Sequence, residues 1–257
     1  MQDRFDYDTY WWLLERLGRA RRSVRFTDLR DGFPADPFFV LRHDVDYSPR
    51  AALRLARAEA DRGIRATYFL LPNSFYYNLL SPEHGAFPSR LVALGHEVGL
   101  HYAVGFFRNF PRERWVELLL QQATLLAQLS GTPVHAISMH QPGLDGADPF
   151  RGMTGLLNAS DDRFVREMVY VSDSCRAWRD HAWEMFASDR FPPRLHLALH
   201  PINWSDEDRD RTRIFADVHD ELHHAVEATK QDLLAKIARH SGVLEHEARL
   251  ARERRPA

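Results

Sequence analysis

Four short apolar runs in this chain each end on an acid or a histidine, and that pattern restricts the fold more than any other feature. Phe38-Phe39-Val40-Leu41 runs into Arg42-His43-Asp44-Val45-Asp46. Gly95-His96-Glu97-Val98-Gly99-Leu100-His101, Ala136-Ile137-Ser138-Met139-His140 and Leu195-His196-Leu197-Ala198-Leu199-His200 end the same way. Runs this short read as buried strands. Strand alternation then puts Arg42, Asp44 and Asp46 on one face and His43 and Val45 on the other. Carboxylates at the end of a buried strand are costly unless something stabilises them. Strand ends that repeatedly carry Asp or His describe a sheet or barrel whose ends meet at one site. A single run has a plainer reading: Tyr47-Ser48-Pro49 can start a helix after a capped strand, and a lone strand-end histidine is more often a satisfied core residue. Together, the runs point to a metal site in which one acid binds the ion, the other handles protons, and imidazoles complete the ligand set.

Between these runs, helical and strand-like segments alternate, which favours a parallel α/β arrangement. An amphipathic helix is expected over residues 7–17, with Tyr10, Trp11 and Leu14 inward. A helix opening at Pro49 stops at Gly63, and a strand follows over 64–71. The loop 72–88 holds Phe75, Tyr76 and Tyr77, which could stack on a sugar or simply pack the loop. A long helix is expected over 112–129 with Gly131 as its stop, and further strands over 134–140, 169–173 and 195–200. Residues 212–255 read as a charged helix, with 252–255 as a frayed tail. Within it His219 and His223 are four apart, but the string His219-Asp220-Glu221-Leu222-His223 lacks the His-Glu-x-x-His order of a zinc protease, so a solvated face is the better reading. Residues 1–257 are therefore expected to form one domain with an N-terminal helix and a C-terminal helical extension.

Composition narrows the function. Hydrophobic residues make up 44% of 257, enough for a sizeable core, and the formal charge of -2 offers no overall field for nucleic acid. The single cysteine, Cys175, rules out an intrachain disulfide framework and suggests a reducing compartment. No leader-like segment and no bilayer-length apolar stretch stands out, so a cytoplasmic location is expected. The oligomeric state is open.

With these residues in view, the chain resembles the polysaccharide deacetylase (NodB-homology) family, carbohydrate esterase family four, over roughly residues 38–204. His43-Asp44-Val45-Asp46 is similar to the family's first motif, Ala66-Thr67-Tyr68-Phe69 to its second strand, and Gly95–His101 to the stretch carrying its first metal histidine. His200 matches the histidine of the fifth motif, and Asp173-Ser174-Cys175-Arg176-Ala177-Trp178 resembles the fourth. The second metal histidine usually lies four residues after the first, where this chain has Gly105. The third motif, Arg-Pro-Pro-Tyr in type, is not visible; Met139-His140-Gln141-Pro142-Gly143 stands near its place.

The resemblance implies a distorted (β/α) barrel of the polysaccharide deacetylase type and a metal-dependent hydrolase acting on an acylated amino sugar or glycan precursor, with surface polysaccharide biosynthesis as the setting. It implies Asp44 as general base, His200 as general acid, and Asp46 and His101 as metal ligands, with zinc the default ion. His140 is the candidate replacement for the ligand missing at Gly105. Arg42, Asp173, Trp178 and Tyr76 are expected to contact substrate or support the site, Asp173 by orienting either His200 or Arg42. Trp178, Trp183 and Trp204 could line a cleft or an interface, or be core. Two other functions fit the same residues: a degenerate barrel that binds saccharide without turnover, and a hydrolase of a non-sugar amide or cyclic imide.

Overall fold

The computed structural model describes residues 4–178 and 182–253. The chain divides into two units, 1–211 and 212–257. The first is built on one parallel sheet. In chain order its elements are α1 (Tyr7–Gly18), β1 (Arg22–Val24), β2 (Phe38–Val45), α2 (Pro49–Ala60), β3 (Thr67–Leu70), α3 (Phe87–Ala93), β4 (Glu97–Tyr102), α4 (Val104–Phe107), α5 (Trp115–Ser130), β5 (Ala136–Met139), α6 (Pro142–Asp145), β6 (Leu157–Asn158), α7 (Asp162–Val165), β7 (Val169–Ser172), α8 (Ala182–Ser188) and β8 (Arg194–Leu199).

The strands run β6-β5-β4-β3-β2-β8-β7, and β1 pairs with β2 ahead of β3. Every pairing is parallel. Among the described residues β6 and β7 do not pair with each other. The sheet is thus a curled, open barrel with flanking helices, the distorted (β/α) barrel expected from the sequence. The second unit is essentially one helix, α9 (Arg211–Glu253). Residues 254 and 255 of the expected tail lie outside the described residues. No described helix is long and apolar enough to cross a membrane.

Local chemistry explains where the elements start and stop. Asp6 caps α1 by accepting the Thr9 N–H at 2.8 Å. Ser48 caps α2 by accepting from Ala51 N at 3.1 Å, with Pro49 in the first turn. Gly131 ends α5 at φ 76°. Some expected strands shorten where another strand takes the edge, as β1 does on β2 ahead of Arg42. The run over 64–71, for instance, pairs only at Thr67–Leu70.

Alternation along β2 divides its side chains between two cores. Phe39, Leu41 and Val45 join the outer core under the helices, while Phe38 and Val40 join Phe26, Phe69, Ala136, Ala159 and Phe164 inside the curl. Gly99 on β4 faces this interior: a Cβ there would fall 2.5 Å from the Phe69 ring. His196 is sealed in the same layer, its Nδ1 3.1 Å from the Phe164 carbonyl. Burial lowers it to about 3, so it stays neutral and structural. Glu97 is also inward, accepting from Thr67 Oγ1 at 2.7 Å and Thr27 N at 3.1 Å, and burial pushes it up to about 7.

Behind β2, the fully buried Glu59 gathers several elements onto one carboxylate. It accepts from the Tyr10 hydroxyl, from Tyr68 OH at 2.8 Å, and pairs with His43 Nε2 at 2.8 Å. The apolar bottom and this polar clamp hold β2 in place, leaving its C-terminal end to carry the acids.

Candidate metal centre

The inward face of β2 continues past Val40 with Arg42 and Asp44, and Asp46 follows in the same sense. The register of β4 and β5 sets His101 beside Ser138, so His140, two residues on, projects from the same end. Its backbone N–H donates to the Tyr102 carbonyl at 2.8 Å, which fixes the chain just beyond β5. The result is a cluster. Asp46 Oδ1 lies 3.2 Å from His101 Nε2 and 3.2 Å from His140 Nδ1, and the two imidazole nitrogens are 3.3 Å apart. Asp46, His101 and His140 form a group whose ligand atoms all lie within 4.8 Å.

The chemistry of these donors fits a divalent cation. His101 Nδ1 is 2.9 Å from the Ser138 carbonyl. A carbonyl only accepts, so Nδ1 carries the hydrogen and neutral His101 directs its Nε2 lone pair at Asp46. Asp46 Oδ1 is buried and has no hydrogen bond of acceptable geometry. Electron-rich atoms so close repel unless a cation sits among them. Ligand atoms about 2.1 Å from a tetrahedral ion lie about 3.4 Å apart, close to the separations seen.

Gly105, the position where the resemblance places a second histidine, lies exposed on α4. A Cβ there would meet nothing within 4 Å. His140 occupies the third corner from another strand.

Asp44 stands next to the cluster, its Oδ2 3.9 Å from His101 Nε2. Arg42 grips it in a fork, Nε to Oδ1 at 2.8 Å and Nη2 to Oδ2 at 2.6 Å, and Nη2 also donates to Ser138 Oγ. Burial opposes the charge on Asp44; the Arg42 guanidinium outweighs it and holds the carboxyl at about 2. Ser138 therefore serves both sides, its carbonyl orienting His101 and its hydroxyl holding Arg42. The sequence reading missed this serine.

His200 approaches from the end of β8, with Nε2 3.9 Å from Asp46 Oδ2. Its Nδ1 meets Asp173 Oδ1 at 2.6 Å. Asp173 is fully buried, accepts the His200 backbone N–H at 3.0 Å, and takes the Trp204 indole N–H on Oδ2 at 3.0 Å. Burial would lower His200, but the Asp173 carboxylate dominates and lifts it to about 9. Of the two partners open to Asp173, the structure gives it His200.

The aromatic candidates separate. Tyr76 lies near the site's rim, edge-on to Tyr47 at 4.9 Å, and the neighbouring Phe75 is 82% exposed. Ser74 ties this loop to β2 by donating to the Asp46 carbonyl at 2.9 Å. Tyr77 is not available for stacking: it is buried, donating to the Val45 carbonyl at 2.6 Å and accepting from Leu71 N. Trp204, a candidate for a cleft, is likewise core, because its indole is needed behind Asp173. Trp178 packs on Phe5 at 5.5 Å and on Trp204 at 6.1 Å, within the aromatic group that backs Asp173. Trp183 packs on Trp12. His219 and His223 lie on α9 and form no metal-type cluster among the described residues.

No family model matches the chain, and no curated protein matches it significantly. Solved structures do. One is a CE4 family pseudoenzyme from Bacillus anthracis, at 15% identity and TM-score 0.44, over 76% of this chain and 63% of that one. This chain thus spans under two thirds of that protein's length. A second is the peptidoglycan deacetylase PdaC of Bacillus subtilis, at 14% identity and TM-score 0.44, over 84% of this chain and 98% of that one. A third is a family 4 carbohydrate esterase from Streptomyces lividans in complex with acetate, at 14% identity and TM-score 0.44, over 64% and 79%. The solved proteins that this chain is similar to are thus carbohydrate esterases, deacetylases and a pseudoenzyme among them.

Proposed function

We propose that this chain is a metal-dependent amide hydrolase that removes an acetyl group from an amino sugar or glycan precursor. One observation carries the reading: Asp46, His101 and His140 converge, with Asp44 and His200 each 3.9 Å from a member of the group. A divalent ion held there, zinc by default for this donor set, would polarise the acyl carbonyl and acidify a water.

The protein's own groups supply the proton handling. Asp44 stays ionised at neutral pH, and each oxygen keeps a lone pair beyond the one given to Arg42. It accepts the hydrogen bond, and then the proton, of the attacking water. Its low basicity is the cost of the Arg42 fork, which in return fixes its direction. His200 is protonated at neutral pH, with Nδ1–H committed to Asp173 and Nε2–H free to face the cluster. It donates that proton to the departing nitrogen, which would otherwise leave as a strongly basic anion. Arg42 is buried and serves Asp44, not the substrate. Tyr76 and Phe75 offer ring faces for a sugar's C–H surface. The single cysteine supports a cytoplasmic location, and the family resemblance supports a step in surface polysaccharide assembly.

The test is acetate release from a panel of N-acetylated amino sugars by the metal-loaded protein. Asp44→Asn should keep the metal and lose turnover by a factor on the order of 10²–10⁴. Equal activity in the variant would remove Asp44 from the chemistry. The tight Arg42 fork on Asp44 favours one second reading, a saccharide-binding barrel without turnover. Glycan binding with no acetate release would establish that instead, and release only from non-sugar amides would move the substrate class.

A further inference from the structure

The helix α9 carries a stripe of apolar side chains left in solvent. Val226, Leu233 and Ile237 are 56%, 56% and 53% exposed. At about 100° per residue they share an arc of roughly 60° with Leu222. Every described residue from 228 to 243 is exposed. Helices in proteins owe their stability mainly to burying such a face, not to propensity. Charge is blocked along the same helix. Residues 217–227 hold Asp217, Asp220, Glu221 and Glu227 with no lysine or arginine, whereas 228–243 hold Lys230, Lys236 and Arg239 against Asp232 alone.

We propose that α9 pairs antiparallel with α9 of a second copy of this chain, about a two-fold axis near residue 230. In that register Val226 faces Leu233 of the second copy, Leu222 faces Ile237, and the acidic block 217–227 runs along the basic block of the second copy. Symmetry makes each contact twice. A parallel pair would instead set acid against acid and base against base. Lys230 falls at the axis, where its own Glu227, 3.2 Å away, offsets the like charge. An anionic membrane, the other common partner of an amphipathic helix, is disfavoured by the carboxylates of 217–227.

The test is the mass of the full chain by size exclusion with light scattering, at micromolar concentration. The wild type should be a dimer, and Leu233→Asp/Ile237→Asp a monomer. Because that variant could also loosen the helix, its circular dichroism should match the wild type's, and cross-linking provides a second arm. Orientation is read in a Cys175→Ser background, where Val226→Cys and Leu233→Cys proteins should form a mixed disulfide when combined and little when alone. A monomeric wild type, self-linking of Val226→Cys, or vesicle binding by a monomer would each overturn the proposal.

Discussion

Replacing Glu97 by glutamine should stabilise the protein at alkaline pH and do almost nothing at acid pH. Glu97 is 7% exposed, one oxygen holds Thr67 and Thr27, and the other is buried without a partner. Burial raises its carboxyl from 4.5 to about 7. The folded protein therefore binds this proton more tightly than the unfolded chain. A raised acid leaves stability intact below about pH 4.5 and erodes it as pH rises towards about 7, beyond which the loss is complete. A shift of between two and three units is worth about 3 kcal/mol. Glutamine resembles the protonated form, keeps an acceptor for Thr67 and Thr27, and cannot ionise. Urea unfolding of both proteins, with chelator present so that metal binding drops out, should show the variant about 3 kcal/mol more stable at pH 8, with the gap closing by pH 5. In thermal melts that is roughly 6–12 °C. A gap independent of pH, or a wild type more stable at pH 8, would refute the claim that Glu97 is held protonated by burial.

Other expectations follow from the same geometry. Asp173→Asn removes the charge that lifts His200 to about 9, so the alkaline limb of the pH–rate profile should move to lower pH and kcat should fall by a factor on the order of 10²–10⁴, with metal content unchanged. Loss of metal in that variant would instead make Asp173 part of the ion's support. Gly99→Ala forces a methyl against the Phe69 ring and should destabilise by about 1–3 kcal/mol, measured by urea unfolding; a neutral effect would mean that the interior layer has slack.

The elements that carry the site were legible because the apolar runs themselves mark buried strands, and each run ends on the residue that matters. Arg42, Asp44 and Asp46 fall on one face by alternation alone. His140 could be nominated because it ends a run, but only the register that sets His101 beside Ser138 shows that its imidazole reaches Asp46. The serine itself gave no signal: its hydroxyl meets a guanidinium 96 residues away in sequence, and such pairings are set by strand order. For Trp204 the sequence leaves cleft, interface and core open, and the structure selects core, because its indole N–H is the partner that a fully buried Asp173 needs. For Tyr77 the two readings, stacking and loop packing, resolve to packing, because its hydroxyl is committed to the Val45 carbonyl.

The central claim is that Asp46, His101 and His140 hold one divalent ion despite Gly105. Elemental analysis of the reconstituted wild type beside Asp46→Ala, His101→Ala and His140→Ala tests it most directly. The account predicts near-stoichiometric metal in the wild type and its loss in each variant. Full occupancy in His140→Ala, or none in the wild type, would contradict it.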